Sequence, residues 1–224
     1  MAADPMNTDP MTTDLDGNHP AHWDRVYTEK DTETLGWYEP SPETTLELLR
    51  QCHLPLSAQI LIAGAGTTTL VDHLLELGYT GLIAADLSAV ALDKLQQRLG
   101  ERASQLQWVV DDLSASEKLA AYQGQLDLWQ DRAVLHFLLT DAEREGYLQL
   151  LKKLLKPGGF ALIACFAPGS ADRCSGLPIR QYSAADLAEW LGPSFELKTQ
   201  QLQTFTMPSG GLREFTHALF LRHE

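Results

Sequence analysis

Gln59–Leu92 reads QILIAGAGTTTLVDHLLELGYTGLIAADLSAVAL. An apolar run meets a glycine loop. Leu70, Val71, Leu74 and Leu75 then recur at helical spacing until Gly78, and a second apolar run ends in Asp86. Short apolar runs bounded by glycine read as buried strands, and glycine is the usual helix stop. A strand–turn–helix–strand unit of this kind holds a ligand at the carboxyl end of its first strand, with the acid after the second strand in reach of a ribose.

The same alternation extends on both sides. Before it, a helix is expected over about 42–53, with Leu46, Leu48 and Leu49 inward, and strand one is Gln59–Ala63. Strand two is Leu82–Ala85, and Ser88 caps a helix that carries Leu92, Leu95 and Leu99 to Gly100. Strand three is Leu106–Val110, a short helix covers about 115–122, and strand four is Leu126–Trp129. Thr140 and Glu143 form a capping box for a helix lined by Leu148, Leu151, Leu154 and Leu155, which Lys156-Pro-Gly-Gly159 stops before strand five, Phe160–Phe166. Ser183 and Asp186 open a last helix through Leu191, and strands over about 195–203 and 214–222 flank the turn residues Met207–Gly211. Five β-α alternations imply a parallel sheet covered by helices on both faces, and the hairpin adds antiparallel strands. The expected fold class is therefore α/β: a Rossmann-like, doubly wound, mostly parallel seven-stranded sheet with a C-terminal antiparallel hairpin. Its ligand crevice would be ringed by the loops at 64–68, 86–88, 111–113 and 130–136.

With 224 residues, 44% of them hydrophobic, one domain with a sizeable core is expected. Residues 1–18, rich in Asp, Thr, Met and Pro without periodicity, read as a disordered tail, and 19–224 as a single domain. Within it, residues 19–40 concentrate Trp23, Tyr27, Trp37 and Tyr38. That stretch reads either as a clamp on the core or as an aromatic lid over a pocket. Net charge is -13, and -9 remains without the four aspartates of the tail. No basic stripe offsets it, so nucleic acid is not an expected partner. No uncharged stretch approaches the ~18 apolar residues of a membrane span, and no signal peptide is evident. Cys52, Cys165 and Cys174 are odd in number and lack paired spacing, which fits reduced thiols, no metal site and a cytoplasmic location.

Three strand ends carry chemistry together. In Gly64-Ala65-Gly66, the first glycine permits a tight turn and the second lets backbone approach a ligand. Asp86, followed by Leu87, can accept from both ribose hydroxyls, Asp112 from an adenine amino group, and the Leu113 N–H can donate to the ring. Thr69 occupies the third glycine position of the dinucleotide fingerprint, no GK[ST] follows, and nothing basic gathers to meet a pyrophosphate. An adenosine ligand without phosphates fits best, and an NAD-dependent oxidoreductase is disfavoured.

Over about residues 20–224 the chain resembles the class I S-adenosylmethionine-dependent methyltransferases. It looks most like the small group that includes the lysine methyltransferases of elongation factor 1A and citrate synthase. The resemblance rests on WDxxY at Trp23–Tyr27, the pair Trp37-Tyr38, the glycine-loop stretch and Ala85-Asp86-Leu87-Ser88. Asp131-Arg132-Ala133 matches the group's acid-Lys-Gly in position, within Trp129–Leu138, which has the WxDRAVxHFL form of many bacterial members. It implies S-adenosylmethionine as cofactor, S-adenosylhomocysteine as product, and in-line methyl transfer to a small-molecule or protein acceptor, lysine among the options, by a monomer or weak dimer. Two departures stand out: Ile62 takes the place of the usual acid, and Thr68 that of a third glycine. Ile62 motivates the alternative of a non-catalytic adenosyl-binding module.

By the same resemblance, Trp23, Tyr27, Trp37 and Tyr38 are candidates for an aromatic wall at the sulfonium, with Trp37 on the cofactor side and Tyr27 and Tyr38 reaching the acceptor. Asp131, where strand four opens into the crevice, is the expected acceptor-side residue or a partner for the cofactor's ammonium. An ion pair with Arg132 or a nearby base is its structural alternative. His136 is a candidate base or a satisfied structural histidine. Arg173, Arg180 and Tyr182 sit in a loop after strand five that reads as a substrate contact or as solvated chain.

Overall fold

A computed structural model describes residues 20–224, so the expected tail at 1–18 lies outside the described residues. The described part begins with helices α1 (Pro20–Glu29) and α2 (Glu43–Arg50). An alternating series follows: β1 (Gln59–Ala63), α3 (Leu70–Glu76), β2 (Gly81–Asp86), α4 (Ala89–Leu99), β3 (Leu106–Val110), β4 (Leu126–Arg132), α5 (Asp141–Leu154) and β5 (Leu155–Phe166). A small hairpin of β6 (Arg173–Cys174) and β7 (Leu177–Pro178) precedes α6 (Ala184–Leu191), and the long pair β8 (Phe195–Thr206) and β9 (Leu212–Arg222) closes the chain.

Seven strands form one sheet in the order β3-β2-β1-β4-β5-β9-β8. The first five of these are parallel, and β9 runs antiparallel to both β5 and β8. Strand order reverses between β1 and β4, which opens a crevice at their carboxyl ends. The central strands are apolar on both faces because helices cover both. Ile60 and Ile62 of β1 pack with α3 and α4 through Leu74, Leu92 and Leu95. Leu61 and Ala63 face the opposite layer, where α5 sets Tyr147 and Leu151 against Trp129. α1 lies on α4, with Val26 and Tyr27 against Ala91. Among the described residues no helix is long and apolar enough to cross a membrane.

Several boundaries differ from the sequence expectation for identifiable reasons. β4 runs on to Arg132 because Gln130 and Asp131, polar as they are, pair with Ile62 and Ala63 of β1 and with Leu162 and Ile163 of β5. β5 starts at Leu155, which pairs with Leu126 across an irregularity, so Lys156–Gly159 belongs to the strand rather than preceding it. The helix expected near 115–122 is only a 3₁₀ turn at Leu119–Tyr122. The Asp111 carboxylate takes up the N–H groups of Lys118 and Leu119 at 2.9 and 3.1 Å, ahead of any α-helical turn.

Candidate active site

The glycine loop after β1 is built from left-handed backbone: φ is +63° at Gly64 and +51° at Gly66. Space demands glycine as well. A Cβ at Gly64 would overlap Val134, and one at Gly66 would overlap the Tyr27 hydroxyl. Tyr27 reaches that position because α1 is tied to α4. Asp24 Oδ1 accepts from the Ser88 hydroxyl at 2.6 Å, while Ser88 itself caps Ala91. The WDxxY spacing thus divides into a fastening residue, Asp24, and two aromatics one helical turn apart, Trp23 and Tyr27, that face the crevice.

Asp86 is buried at the tip of β2. Its Oδ2 accepts from Gly66 N at 2.7 Å and its Oδ1 from Ser88 N at 2.8 Å. Burial pushes its carboxyl up to about 6, against the pull of those amides. Each oxygen keeps a further lone pair for a ligand hydroxyl. Asp112, at the next strand end, holds the Ser114 amide and hydroxyl at 2.8 and 2.7 Å. One cavity is lined by Gly64, Asp86, Leu87, Asp112 and Leu113, with Trp23, Tyr27, Val134 and Phe137 closing it. Among the described residues Asp111 also borders this cavity and no Lys or Arg does. Three carboxylates and no cation suit an uncharged or cationic adenosine compound and disfavour a phosphorylated one. The glycine cradle, which any Cβ would fill, and the buried Asp86 also fit such a ligand.

Tyr27 and Gly64 border a second recess over the glycine loop. Ala65, Gly66, Trp37 and Tyr38 line it, together with Ile62, Glu39, Gln130 and Arg132. Trp37 stands edge-on to Trp23 and to Tyr27, with ring centroids 5.9 and 6.2 Å apart. The aromatics of residues 19–40 therefore both pack on α4 and wall the crevice, within the part of that stretch that is described.

Other expected site residues lie elsewhere. Asp131 is fully buried. Its Oδ1 accepts from Val134 N at 2.8 Å, and its Oδ2 from Leu135 N at 3.1 Å and the Tyr147 hydroxyl at 2.6 Å. The alternation of β4 turns this side chain inward, where it caps the following turn rather than facing an acceptor. Nor is it paired with Arg132, whose partner is Glu39 at 3.1 Å. Burial raises the Asp131 carboxyl to about 6, partly offset by Tyr147 and the two amides. His136 is fully buried behind Phe137, its ring 4.8 Å from that of Phe166, and among the described residues neither ring nitrogen has a hydrogen-bond partner. Burial, then the nearby Arg132, lower its pKa to about 3, so the ring is neutral. Tyr182 is buried with an unpartnered hydroxyl. Arg180 is exposed over the Tyr182 ring at 5.5 Å, and exposed Arg173 donates to Gly176 O at 3.1 Å, closing its own hairpin.

Sequence reasoning passed over Val134 and Phe137, which only the register of β4 brings to the cavity, and Glu39, which joins Arg132 across 93 positions. Position in the WxDRAVxHFL stretch was the one available signal for the first two.

Residues 60–159 match the family described as methyltransferase domain. The chain is 25% identical over 140 residues to the eEF1A lysine and N-terminal methyltransferase of Mus musculus, a match covering 61% of this chain and 19% of that protein. It thus spans about a fifth of that curated relative's length. Among solved structures it is similar to a SAM-dependent methyltransferase of Anabaena variabilis, with TM-score 0.70 and 16% identity, over 92% of this chain and 93% of the other. It is also similar to the 1,6-didemethyltoxoflavin-N1-methyltransferase of Burkholderia thailandensis, solved with its substrate and S-adenosylhomocysteine. There the TM-score is 0.63 and identity 23%, over 89% of this chain and 81% of that one. At these identities the structural likenesses speak for the fold.

Proposed function

We propose that this chain is a class I S-adenosylmethionine-dependent methyltransferase that methylates a small-molecule or protein acceptor, using the crevice between β1, β2, β3 and β4; the methyltransferase-domain match and the shared fold support the reading. The observation that carries this reading is the joint lining of one cation-free cavity by Gly64, Asp86 and Asp112. S-adenosylmethionine, when bound, supplies a methyl group already made electrophilic by its sulfonium. Asp86 accepts from the ribose hydroxyls. Asp112 and the Leu113 N–H read the adenine edge. Tyr27, Trp23 and Trp37 present aromatic faces toward the cation and exclude water. The protein's task is alignment, since in-line displacement gains most from holding two reactants in register. Asp131 and His136, both inside the fold, support the wall from behind and are not assigned proton transfer. The 1,6-didemethyltoxoflavin named for the Burkholderia neighbour and the lysine named for the mouse relative both remain acceptor classes for this chain. A short acidic chain with three free thiols fits a cytoplasmic enzyme, monomeric or weakly dimeric, that acts on metabolites or protein side chains rather than nucleic acid.

Incubation with methyl-labelled S-adenosylmethionine and fractionated cell extract tests the reading. Label in a metabolite or a protein is expected, and Asp86→Ala should abolish most of it. Label confined to nucleic acid, or none in any fraction although the donor binds, would overturn it.

A further inference from the structure

The recess over the glycine loop has a composition unlike that of the Asp86 cavity. Apart from its uncharged lining, which includes the amide of Gln130, it holds among the described residues one anion and one cation, Glu39 and Arg132. Both side chains are nearly enclosed, at 10% and 14% exposure. Arg132 Nε meets Glu39 Oε2 at 3.1 Å, and Nη1 donates to Trp37 O at 2.9 Å. Among the described residues buried Nη2 has no partner, and Nε, although at ion-pair distance from Glu39, makes no hydrogen bond. The guanidinium is held over the rings of Phe205 and Phe215, at 5.3 and 5.2 Å, so it cannot swing out to water without losing both. Glu39 Oε1 has only a long contact, 3.4 Å, from Gln203. Burial lifts the Glu39 carboxyl above its ordinary range despite the neighbouring Arg132 and Gln203. A buried charge pair with an orphan donor and a half-used acceptor is costly to keep unless something else completes it.

The recess shares Tyr27 and Gly64 with the Asp86 cavity. An adenosine seated on Asp86 and Asp112 therefore has its 5′ arm directed across the glycine loop toward this pair. In the donor of the proposed reaction that arm ends in an α-amino acid, one ammonium and one carboxylate. Beneath it β1 offers the apolar Ile62 and Ala63, so the matching charges must come from the segment before α2 and the end of β4. We infer that Glu39 and Arg132 grip the amino-acid end of the methyl donor, Glu39 accepting from its ammonium and Arg132 Nη2 donating to its carboxylate. Each protein charge then gains a second counterion, and the orphan donor is satisfied. Thr69 supports the arrangement by donating its hydroxyl to Glu39 O at 2.8 Å, which ties this segment to the loop. The inference rests on the adenosine-site reading above.

Calorimetric titration of the full chain with S-adenosylhomocysteine and with 5′-methylthioadenosine, which lacks the amino-acid arm, separates the two. The wild type should bind the former at least about tenfold more tightly, the scale of charge-assisted hydrogen bonds. Glu39→Gln and Arg132→Gln should each weaken S-adenosylhomocysteine by about tenfold and leave 5′-methylthioadenosine within about twofold. Equal affinity of the wild type for both compounds would overturn the inference alone. So would variants that bind S-adenosylhomocysteine normally or lose both ligands in parallel while still melting cooperatively. A wild type that binds neither compound overturns the adenosine site and the inference together. Should the variants not fold, the decarboxylated analogue of S-adenosylhomocysteine on the wild type decides: weakening supports the Arg132 contact, and unchanged affinity removes it.

Discussion

The two halves of the crevice treat their polar residues in opposite ways. At the tips of β2 and β3, Asp86 and Asp112 line the cavity, and each Asp86 oxygen holds one backbone amide and keeps a lone pair for a ligand. At the tip of β4, the carboxylate and the imidazole turn inward, Asp131 onto Val134, Leu135 and Tyr147, His136 behind Phe137. Similar residue types at equivalent strand ends are therefore placed differently, two on the cavity and two inside the fold. All three acids accept from the turn that follows them, and what separates Asp131 is that the Tyr147 hydroxyl also bonds it and no part of it lines the cavity.

The largest expected effect tests the inward half. Asp131→Ala strands two buried amides and a buried hydroxyl, each costing about 1–3 kcal/mol, so a loss near 3 kcal/mol is expected even after relief of the buried carboxylate. In thermal melts that corresponds to roughly 6–12 °C for a domain of this size. A variant that melts normally but has lost turnover would assign Asp131 to the acceptor and erase the contrast.

On the outward half, Asp86→Ala should weaken S-adenosylhomocysteine by about 1–3 kcal/mol in calorimetry. The ionised carboxylate is the one that accepts from both hydroxyls. With its pKa near 6, affinity should be full above that pH and fall as the pH drops through it. Affinity independent of pH between 7 and 5 would mean the ribose lies elsewhere.

His136 offers a sharper test of burial. Its folded pKa, about 3, is depressed below the ordinary 6.5. The stability it contributes is therefore present above 6.5 and lost as pH falls toward 3, because the unfolded chain takes up the proton first. By pH 5 the loss should be about 2 kcal/mol. Denaturant midpoints of His136→Phe at pH 7.5 and 5 should show the variant escaping that loss. His217, lowered in the same direction, contributes equally to both proteins. A wild type and variant that respond to acid in parallel would place His136 in contact with water or a base.

The smallest effect concerns Ala133, whose φ of +76° is the left-handed backbone that glycine tolerates. Ala133→Gly should raise stability by no more than about 1 kcal/mol, since relief of strain competes with a freer unfolded chain. A clear loss in urea unfolding would show that the methyl group's packing at the cavity wall outweighs the strain.

The contrast also marks what the sequence could reveal. Periodicity located β1, β2, β3, α3 and α4, and the outward half of the site followed, because glycines and acids at strand ends carry their signal locally. Ser88 and the Thr140–Glu143 box showed where helices start for the same reason. The inward half was not legible. Gln130 and Asp131 look like loop until β1 and β5 flank them, and only that pairing turns Asp131 away from the crevice. Glu39 and Arg132 meet through tertiary packing alone, and the β6–β7 hairpin is too short to leave a pattern.

A crystal structure with S-adenosylhomocysteine tests the central assignment most directly. The predicted result is a ribose on the Asp86 carboxylate with adenine beside Asp112 and Leu113. An occupied site anywhere else on the molecule, with that cavity empty, would contradict it.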